Sequence, residues 1–260
     1  MTSILEIEAV TKRFGGLTAV DAVSVTVPRG SIFGLIGPNG AGKTTLFNCI
    51  TGMVQPNDGA IRLRDTDQPT ELVGLKPEAI TALSVARTFQ TTRIFPNLSV
   101  LDNVRIGRHA RTRATLVGAI LRTPGQRAEE RRITEEALSH LAFVGIEAQA
   151  DHLARSLPYG DQRRLEVARA LATEPKLLLL DEPAAGMNPQ ETRDLMRLIE
   201  RIRDSGITVL LIEHDMKVVM GVCEWIVVLD YGRKIAEGLP EAVRRDPQVI
   251  EAYLGRGAHA

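Results

Sequence analysis

Gly37-Pro38-Asn39-Gly40-Ala41-Gly42-Lys43-Thr44 has the form G-x-x-x-x-G-K-[ST], and it stands between the apolar run Ile32 to Ile36 and the helical run Thr45 to Ile50. The glycines let successive backbone N–H groups converge on an anion, and the helix that follows adds the positive end of its dipole. In such a loop Lys43 reaches the β- and γ-phosphates and the Thr44 hydroxyl binds Mg²⁺. A glycine-rich turn matching by chance is the competing reading, and the strand before the loop and the helix after it count against that. Ile32 to Ile36 lacks polar alternation, which suits the buried centre of a sheet covered on both faces.

Upstream, Leu5, Ile7 and Ala9 alternate with Glu6 and Glu8, and Val23, Val25 and Val27 alternate with Ser24 and Thr26. Both stretches predict half-buried antiparallel strands, with a turn at Pro28, Arg29 and Gly30. Downstream, Leu101 to about Leu153 reads as helical segments rich in Arg and Ala, an inserted helical subdomain. Its arginines, Arg105, Arg108, Arg111, Arg113, Arg122, Arg127, Arg131 and Arg132, are expected to form a solvated face. A membrane-surface or partner contact is the alternative, diluted by Glu129, Glu130, Glu135 and Glu136. Lys176 to Leu180 and Ile207 to Ile212 return to buried strands, Glu191 to Asp204 is the amphipathic helix between them, and the set reads as βαβ units of a parallel sheet. Trp225 to Leu229 and Lys234 to Ala236 predict a hairpin about Asp230, Tyr231 and Gly232, followed by a short helical tail ending at Leu254.

With 260 residues, 44% apolar and 25% charged, the chain is long enough for one large α/β domain with an insertion, and disulfide scaffolds and disordered tails are excluded. Lys and Arg total 32 against 32 Asp and Glu, and only one Trp, three Tyr and six Phe are present, so neither charge nor stacking surface points to a nucleic acid. Cys49 and Cys223 have no cysteine or histidine at metal-ligand spacing, which predicts a reducing compartment without disulfide or zinc. No apolar run approaches the ~18 residues that span a bilayer, and Glu6 and Glu8 interrupt any signal-peptide core. The chain is therefore expected to stay in the cytoplasm.

Leu177 to Leu180 ends in Asp181-Glu182, which places two carboxylates at the C-terminal edge of the sheet, where open α/β folds bind ligands. Asp181 can hold the Mg²⁺ shell while Glu182 polarises an attacking water. Val209 to Ile212 leads to Glu213 and His214, and a histidine at that edge can hydrogen-bond a γ-phosphate. His109, His140, His152 and His259 read as ordinary surface histidines.

These motifs, in this order over nearly the whole chain, resemble the nucleotide-binding subunit of an ATP-binding cassette (ABC) transporter. The resemblance implies an α/β P-loop NTPase fold: a RecA-like, mostly parallel sheet core with an N-terminal antiparallel β subdomain and an inserted α-helical subdomain. As domain limits it implies one ABC ATPase domain over 1–260. Residues 1–90 and 158–238 form the nucleotide-binding core, 91–157 the helical insert and 239–260 a short helical tail. The family pattern maps Phe14 to the aromatic that stacks on adenine, with Val20 beside it, and Gly37 through Thr45 to the phosphate loop. Gln90, in Arg87-Thr88-Phe89-Gln90, maps to the glutamine that links nucleotide, metal and membrane subunit. Asp181 with Thr44 and Gln90 takes the metal position, and Glu182 and His214 take the catalytic and switch positions, with Lys43 on the phosphates. Taken singly, Phe14 could be a core aromatic and Gln90 a surface amide.

Leu157-Pro158-Tyr159-Gly160-Asp161 aligns with the family's signature loop, usually Leu-Ser-Gly-Gly-Gln, and here the sequence departs from the pattern. Leu157 and Gly160 are kept, Pro158 lacks both the serine hydroxyl and an N–H, and Asp161 brings a negative charge. Weaker or altered engagement of a partner's ATP is the expectation. Tyr159 through Glu166, Asp181 through Pro189 and Ile212 through Met216 resemble one branch closely, the ATPase of branched-chain amino acid importers. Val249 through Gly255 is similar to that branch's tail, and Asn188 stands where many relatives carry aspartate.

The resemblance implies ATP and Mg²⁺ as ligands. It implies a second ABC ATPase subunit across an ATP sandwich, whether the same chain or a similar one, and two transmembrane permease subunits. An extracytoplasmic amino-acid-binding protein is an indirect partner, nucleic acid is none, and the subunit would sit peripherally on the cytoplasmic face of a bacterial inner membrane. Importers of urea, amides or other amino acids share these features. A soluble ABC protein acting on DNA or ribosomes is disfavoured by the single cassette and the lack of a coiled-coil arm or zinc module. A small-molecule kinase gives Gln90 and His214 no role, and a GTPase lacks its Asn-Lys-x-Asp motif.

Overall fold

Ala9 and Ala22 adopt positive φ, 46° and 49°, and each marks a bulge that shifts the side-chain phase of a long strand. In the computed structural model β1 runs Ser3–Phe14 and β2 Leu17–Pro28, both longer than the alternation at either end predicts. The bulge at Ala9 explains the difference. Leu5 and Ile7 face the core, an extra residue intervenes, and Val10 then resumes the buried face out of phase. Ser24 Oγ accepts the Ala9 N–H at 2.9 Å and Thr11 Oγ1 the Ala22 N–H at 3.0 Å, so each bulge is satisfied by a side chain of the neighbouring strand.

The structure describes residues 2–66, 68–90, 93–108 and 124–254, with side chains from residue 128 onward in the helix that begins at Pro124. The chain divides into two compact units, Met1–Arg87 with Lys176–Ala260, and Thr88–Pro175. The first contains β1, β2, β3 (Ile32–Ile36), α1 (Lys43–Ile50), β4 (Asp58–Leu63), β5 (Thr70–Glu71), α2 (Pro77–Ala82) and β6 (Val85–Arg87). The second contains α3 (Val100–Arg108), α4 (Pro124–Val144) and α5 (Tyr159–Leu171). The chain then returns to the first unit with β7 (Leu177–Asp181), α6 (Pro189–Asp204), β8 (Thr208–Ile212), α7 (Met216–Val222), β9 (Trp225–Asp230), β10 (Arg233–Gly238), α8 (Pro240–Arg245) and α9 (Pro247–Leu254).

Within the first unit an antiparallel sheet has the order β2-β1-β4-β5, and a six-stranded sheet the order β10-β9-β3-β8-β7-β6. In the larger sheet β9, β3, β8, β7 and β6 are parallel, and β10 closes the edge as an antiparallel hairpin partner of β9. Every residue of β3, β7 and β8 is buried, as their unbroken apolar sequences predict. One hydrophobic cluster takes in Ile4, Val10, Val27 and Ile61 of the smaller sheet, Leu46, Phe47 and Ile50 of α1, and Leu35, Leu179, Leu210 and Val227 of the larger. β6 and α2 were not legible in the sequence, because three and six residues carry no measurable period.

The helical unit extends beyond the limits 91–157 that the sequence suggests. α5 packs on α3 and α4 and so groups with them, and the division falls at residues 88 and 175. Three arginines of α3 and α4, Arg105, Arg108 and Arg132, are ion-paired. Arg105 meets Asp102 at 3.1 Å, Arg132 meets Glu136 at 3.6 Å, and Arg108, itself buried, meets Glu136 at 2.5 Å and also Glu174. Arg111, Arg113, Arg122, His109 and His259 lie outside the described residues, as does the side chain of Arg127.

Candidate functional site

Parallel strands deliver their following loops to one edge of a sheet, and neighbours β3, β8 and β7 do so here. β3 runs into Gly37 through Gly42, β8 into Glu213 and His214, and β7 into Glu182. The loop after β3 needs glycine at two places. A Cβ on Gly37 (φ 148°) would lie 2.1 Å from the Leu229 carbonyl oxygen, and one on Gly42 (φ 99°) 2.3 Å from the Ala19 carbonyl oxygen. The loop is therefore wedged between β9 and β2. The Gly232 N–H bonded to the Ala41 carbonyl (3.1 Å) and the Asp21 N–H bonded to the Gly232 carbonyl (2.8 Å) complete the wedge.

Lys43 is the first residue of α1, with Gly42 as its N-cap, and its buried Nζ donates to the carbonyls of Gly37 (2.7 Å) and Pro38 (2.9 Å). The ammonium thus spans the loop. Asn39, Gly40 and Thr44 are exposed at the same point, beside an α-helix whose first turn leaves N–H groups for an anion.

Asp181 closes β7 at 2% exposure and meets the Arg87 guanidinium at 2.8 Å. Arg87 ends the adjacent strand β6, donates to Asn48 Oδ1 (2.7 Å) and Thr51 Oγ1 (3.1 Å), and lies 5.6 Å over the Phe47 ring, so it ties the sheet edge to α1. Glu182 follows in a left-handed backbone conformation, φ 48°, which is costly for a residue with a Cβ and recurs at functional positions. Its N–H donates to the Ile212 carbonyl at 2.9 Å, prolonging the β7–β8 ladder by one rung. His214 Nδ1 lies 3.8 Å from Glu182 Oε2 and 3.8 Å from Glu213 Oε2, beyond direct hydrogen bonding, and its side chain is 58% exposed. Glu213 is fully buried, and burial raises its carboxyl above the usual carboxylate range against the pull of three backbone N–H groups.

Phe14 closes β1 at 48% exposure, with Lys12 Nζ 4.9 Å over its ring. Val20, by contrast, is fully buried in the core and presents no surface to a ligand. The first unit thus brings together the phosphate loop, Asp181, Glu182 and His214. Gln90, Leu157, Gly160 and Asp161 belong to the helical unit.

In that unit α5 begins at Tyr159 with Pro158 as N-cap, so the proline falls where its missing N–H costs no helical bond. Asp161 accepts from Gln149 Nε2 at 2.9 Å and lies 3.8 Å from Arg164, so its charge is partly offset within the unit. Gln90 is exposed, and its carbonyl accepts from the buried Arg163 at 2.5 Å. Arg163 also donates to the Phe89 carbonyl (2.8 Å), while Glu166 accepts the Phe89 N–H (3.1 Å). Asn188, in the aspartate position, caps α6: its Oδ1 accepts from Gln190 N and Glu191 N, and the Glu191 carboxylate accepts the Asn188 backbone N–H in return.

Among the described residues no three His, Cys, Asp or Glu side chains converge as a metal cage. A carboxylate and a hydroxyl at a phosphate loop still fit Mg²⁺, which takes one or two protein ligands and completes its shell with phosphate oxygens and water. Thr44 and Asp181 supply that pair. Among the described residues no helix is long and apolar enough to cross a membrane.

The family model described as ABC transporter matches residues 20–185, and that of the branched-chain amino acid ATP-binding cassette transporter matches residues 233–259. The chain is 46% identical over 97% of its length to the high-affinity branched-chain amino acid transport ATP-binding protein BraF of Pseudomonas aeruginosa, covering 98% of that protein. It is 44% identical over 97% of its length to LivG of Escherichia coli, which bears the same description, again covering 98% of it. A crystal structure of an ATP-binding cassette of an ABC transporter in its ADP conformation superposes with a TM-score of 0.84 at 32% identity, over 98% of this chain and 100% of that one.

Proposed function

The chain belongs to the ABC transporter family of ATP-binding cassettes, and on that premise we propose that it is the ATP-hydrolysing subunit of a bacterial importer of branched-chain amino acids. The observation that carries the chemistry is the delivery of the phosphate loop, Asp181-Glu182 and His214 by three neighbouring parallel strands to one sheet edge. The likeness to BraF and LivG over nearly the whole chain, and the match of the C-terminal segment to a branched-chain amino acid transporter model, support the substrate class.

In this reading the N–H groups of residues 39 to 45 and the Lys43 ammonium bind the phosphates, and the exposed Phe14 ring stacks on adenine. Thr44 and Asp181 would hold Mg²⁺, which would supply neutralisation of the phosphate charge. Glu182 accepts a hydrogen bond from the attacking water and orients it in line, and His214 donates to the γ-phosphate. Position and charge, not covalent chemistry, carry the step.

A second cassette would close over the ATP, offering the Leu157 to Asp161 loop to the partner's nucleotide. With Pro158 lacking a hydroxyl, that loop contributes chiefly through Gly160 and the start of α5. Two membrane subunits and an extracytoplasmic binding protein complete the importer, with this subunit peripheral at the cytoplasmic face.

Glu182→Gln keeps the shape but removes the anionic acceptor. It is expected to bind ATP while kcat for hydrolysis falls at least ~100-fold. Cells carrying it as the sole copy should lose uptake of labelled leucine, isoleucine and valine. Unchanged turnover would remove Glu182 from the mechanism, and normal uptake beside an inactive ATPase would discard the substrate.

A further inference from the structure

Glu213 is an acid at zero exposure immediately after a buried strand, where an unsatisfied carboxylate would be strongly unfavourable. Both of its oxygens are used, and they face two different loops. Oε1 accepts the Ala184 N–H at 2.8 Å, in the loop that Glu182 begins. Oε2 accepts the His214 N–H at 3.0 Å and the Asp215 N–H at 3.3 Å, in the turn that leads to α7. Hydrogen bonds from backbone N–H to an ionised carboxylate are stronger than neutral ones, and here three of them converge on one side chain.

The loops so joined carry the two groups assigned above to the attacking water and the γ-phosphate. Glu182 sits at φ 48°, a conformation that persists only where its surroundings hold it. Its N–H already bonds to Ile212, the residue before Glu213. Ala184, two residues further on, is held by Glu213 itself. His214, though its side chain is exposed, is fixed at its backbone by the same carboxylate, and its Nδ1 lies 3.8 Å from both glutamates. An apolar side chain of similar volume would leave three buried N–H groups unsatisfied.

We infer that Glu213 is a positioning residue for ATP hydrolysis, its two carboxylate oxygens holding the His214 turn at a fixed distance from the loop that carries Glu182. This rests on the roles given above to Glu182 and His214, and it adds the residue that sets their geometry.

The test is a double-mutant cycle on the purified full-length chain, with kcat and KM for ATP and the dissociation constant of a fluorescent ATP analogue measured for wild type, Glu213→Gln, His214→Ala and the double variant. Glutamine has the same volume but one acceptor oxygen, and its NH₂ faces an N–H of whichever loop it no longer serves. Glu213→Gln should lower kcat about tenfold and leave nucleotide affinity within about twofold, since a group displaced from its productive position loses only part of the ~10² to 10⁴ it can contribute. In the His214→Ala background the same substitution should lower kcat by clearly less than in wild type, because one of the two groups it positions is gone and only its effect through the Glu182 loop remains. Equal losses in both backgrounds, or wild-type kcat in Glu213→Gln, overturn the positioning role. Unchanged turnover in His214→Ala alone overturns the assignment of His214 beneath it, a different and separable result. Should Glu213→Gln fail to bind the analogue, Glu213→Asp enters the same cycle, its shorter arm keeping the charge but reaching only one loop.

Discussion

Replacing Arg87 by alanine removes the cation that faces Asp181 at the buried end of β7. The pair is 2.8 Å apart, and its side chains are 7% and 2% exposed, so little water reaches the carboxylate in compensation. Breaking such a pair by deleting one partner costs about 3–5 kcal/mol. The bonds to Asn48 and Thr51 add about 1 kcal/mol each, although the sum is not additive where one side chain makes them all. Against a total stability of about 5–15 kcal/mol the loss is large. With a urea m-value near 3 kcal/mol/M, the unfolding midpoint should fall by about 1–1.7 M, followed by tryptophan fluorescence of Trp225 and by circular dichroism. The decisive comparison is the same substitution in an Asp181→Asn chain, where no buried charge is left behind and the cost should fall to about 1–2 kcal/mol. A loss below about 1 kcal/mol in the wild-type background, or equal losses in both, would show that the pair does not hold the edge of the sheet as argued.

Asn188→Ala deletes the side-chain arm of the capping box on α6, leaving only the backbone N–H to Glu191, and should cost about 1 kcal/mol, a thermal midpoint lower by about 2–4 °C, whereas Asn188→Asp should keep the cap; scanning calorimetry of the three chains checks this. Burial depresses His140 below its usual value of 6.5, and the nearby Arg108 adds to the effect. Folding therefore favours the neutral imidazole, and that contribution is present above pH 6.5 and lost as pH falls through the lower folded-state value. Urea midpoints at pH 7.5 and 5.5 should diverge more for wild type than for His140→Gln, and an equal acid-side loss in both would sink the assignment.

The residues legible in the sequence are those that strands carry to the edge of the sheet. Ile32 to Ile36, Leu177 to Leu180 and Val209 to Ile212 announce themselves as unbroken apolar runs, so whatever follows them is placed as soon as they are recognised. Lys43, Asp181, Glu182 and His214 all follow such a run. The residues that hold these groups from the side carry no such signal. Arg87 closes a three-residue strand too short to show a period, and its partner Asp181 is 94 residues away. Glu213 reads as one more polar residue after a strand until its contact with Ala184, 29 positions earlier, turns it into a bracket between loops. Asp161, read alone, brings a negative charge to a phosphate-facing loop, and only the fold supplies Gln149 and Arg164 to meet it. Val20 errs in the other direction, a residue assigned to the ligand that the bulged pairing of β1 and β2 turns into the core. Period and spacing report what one element does with its own faces. The groups assigned to ATP are set by one strand each and can be read that way, but the precision of their placement comes from pairs between strands, and those pairs form only when the sheet does.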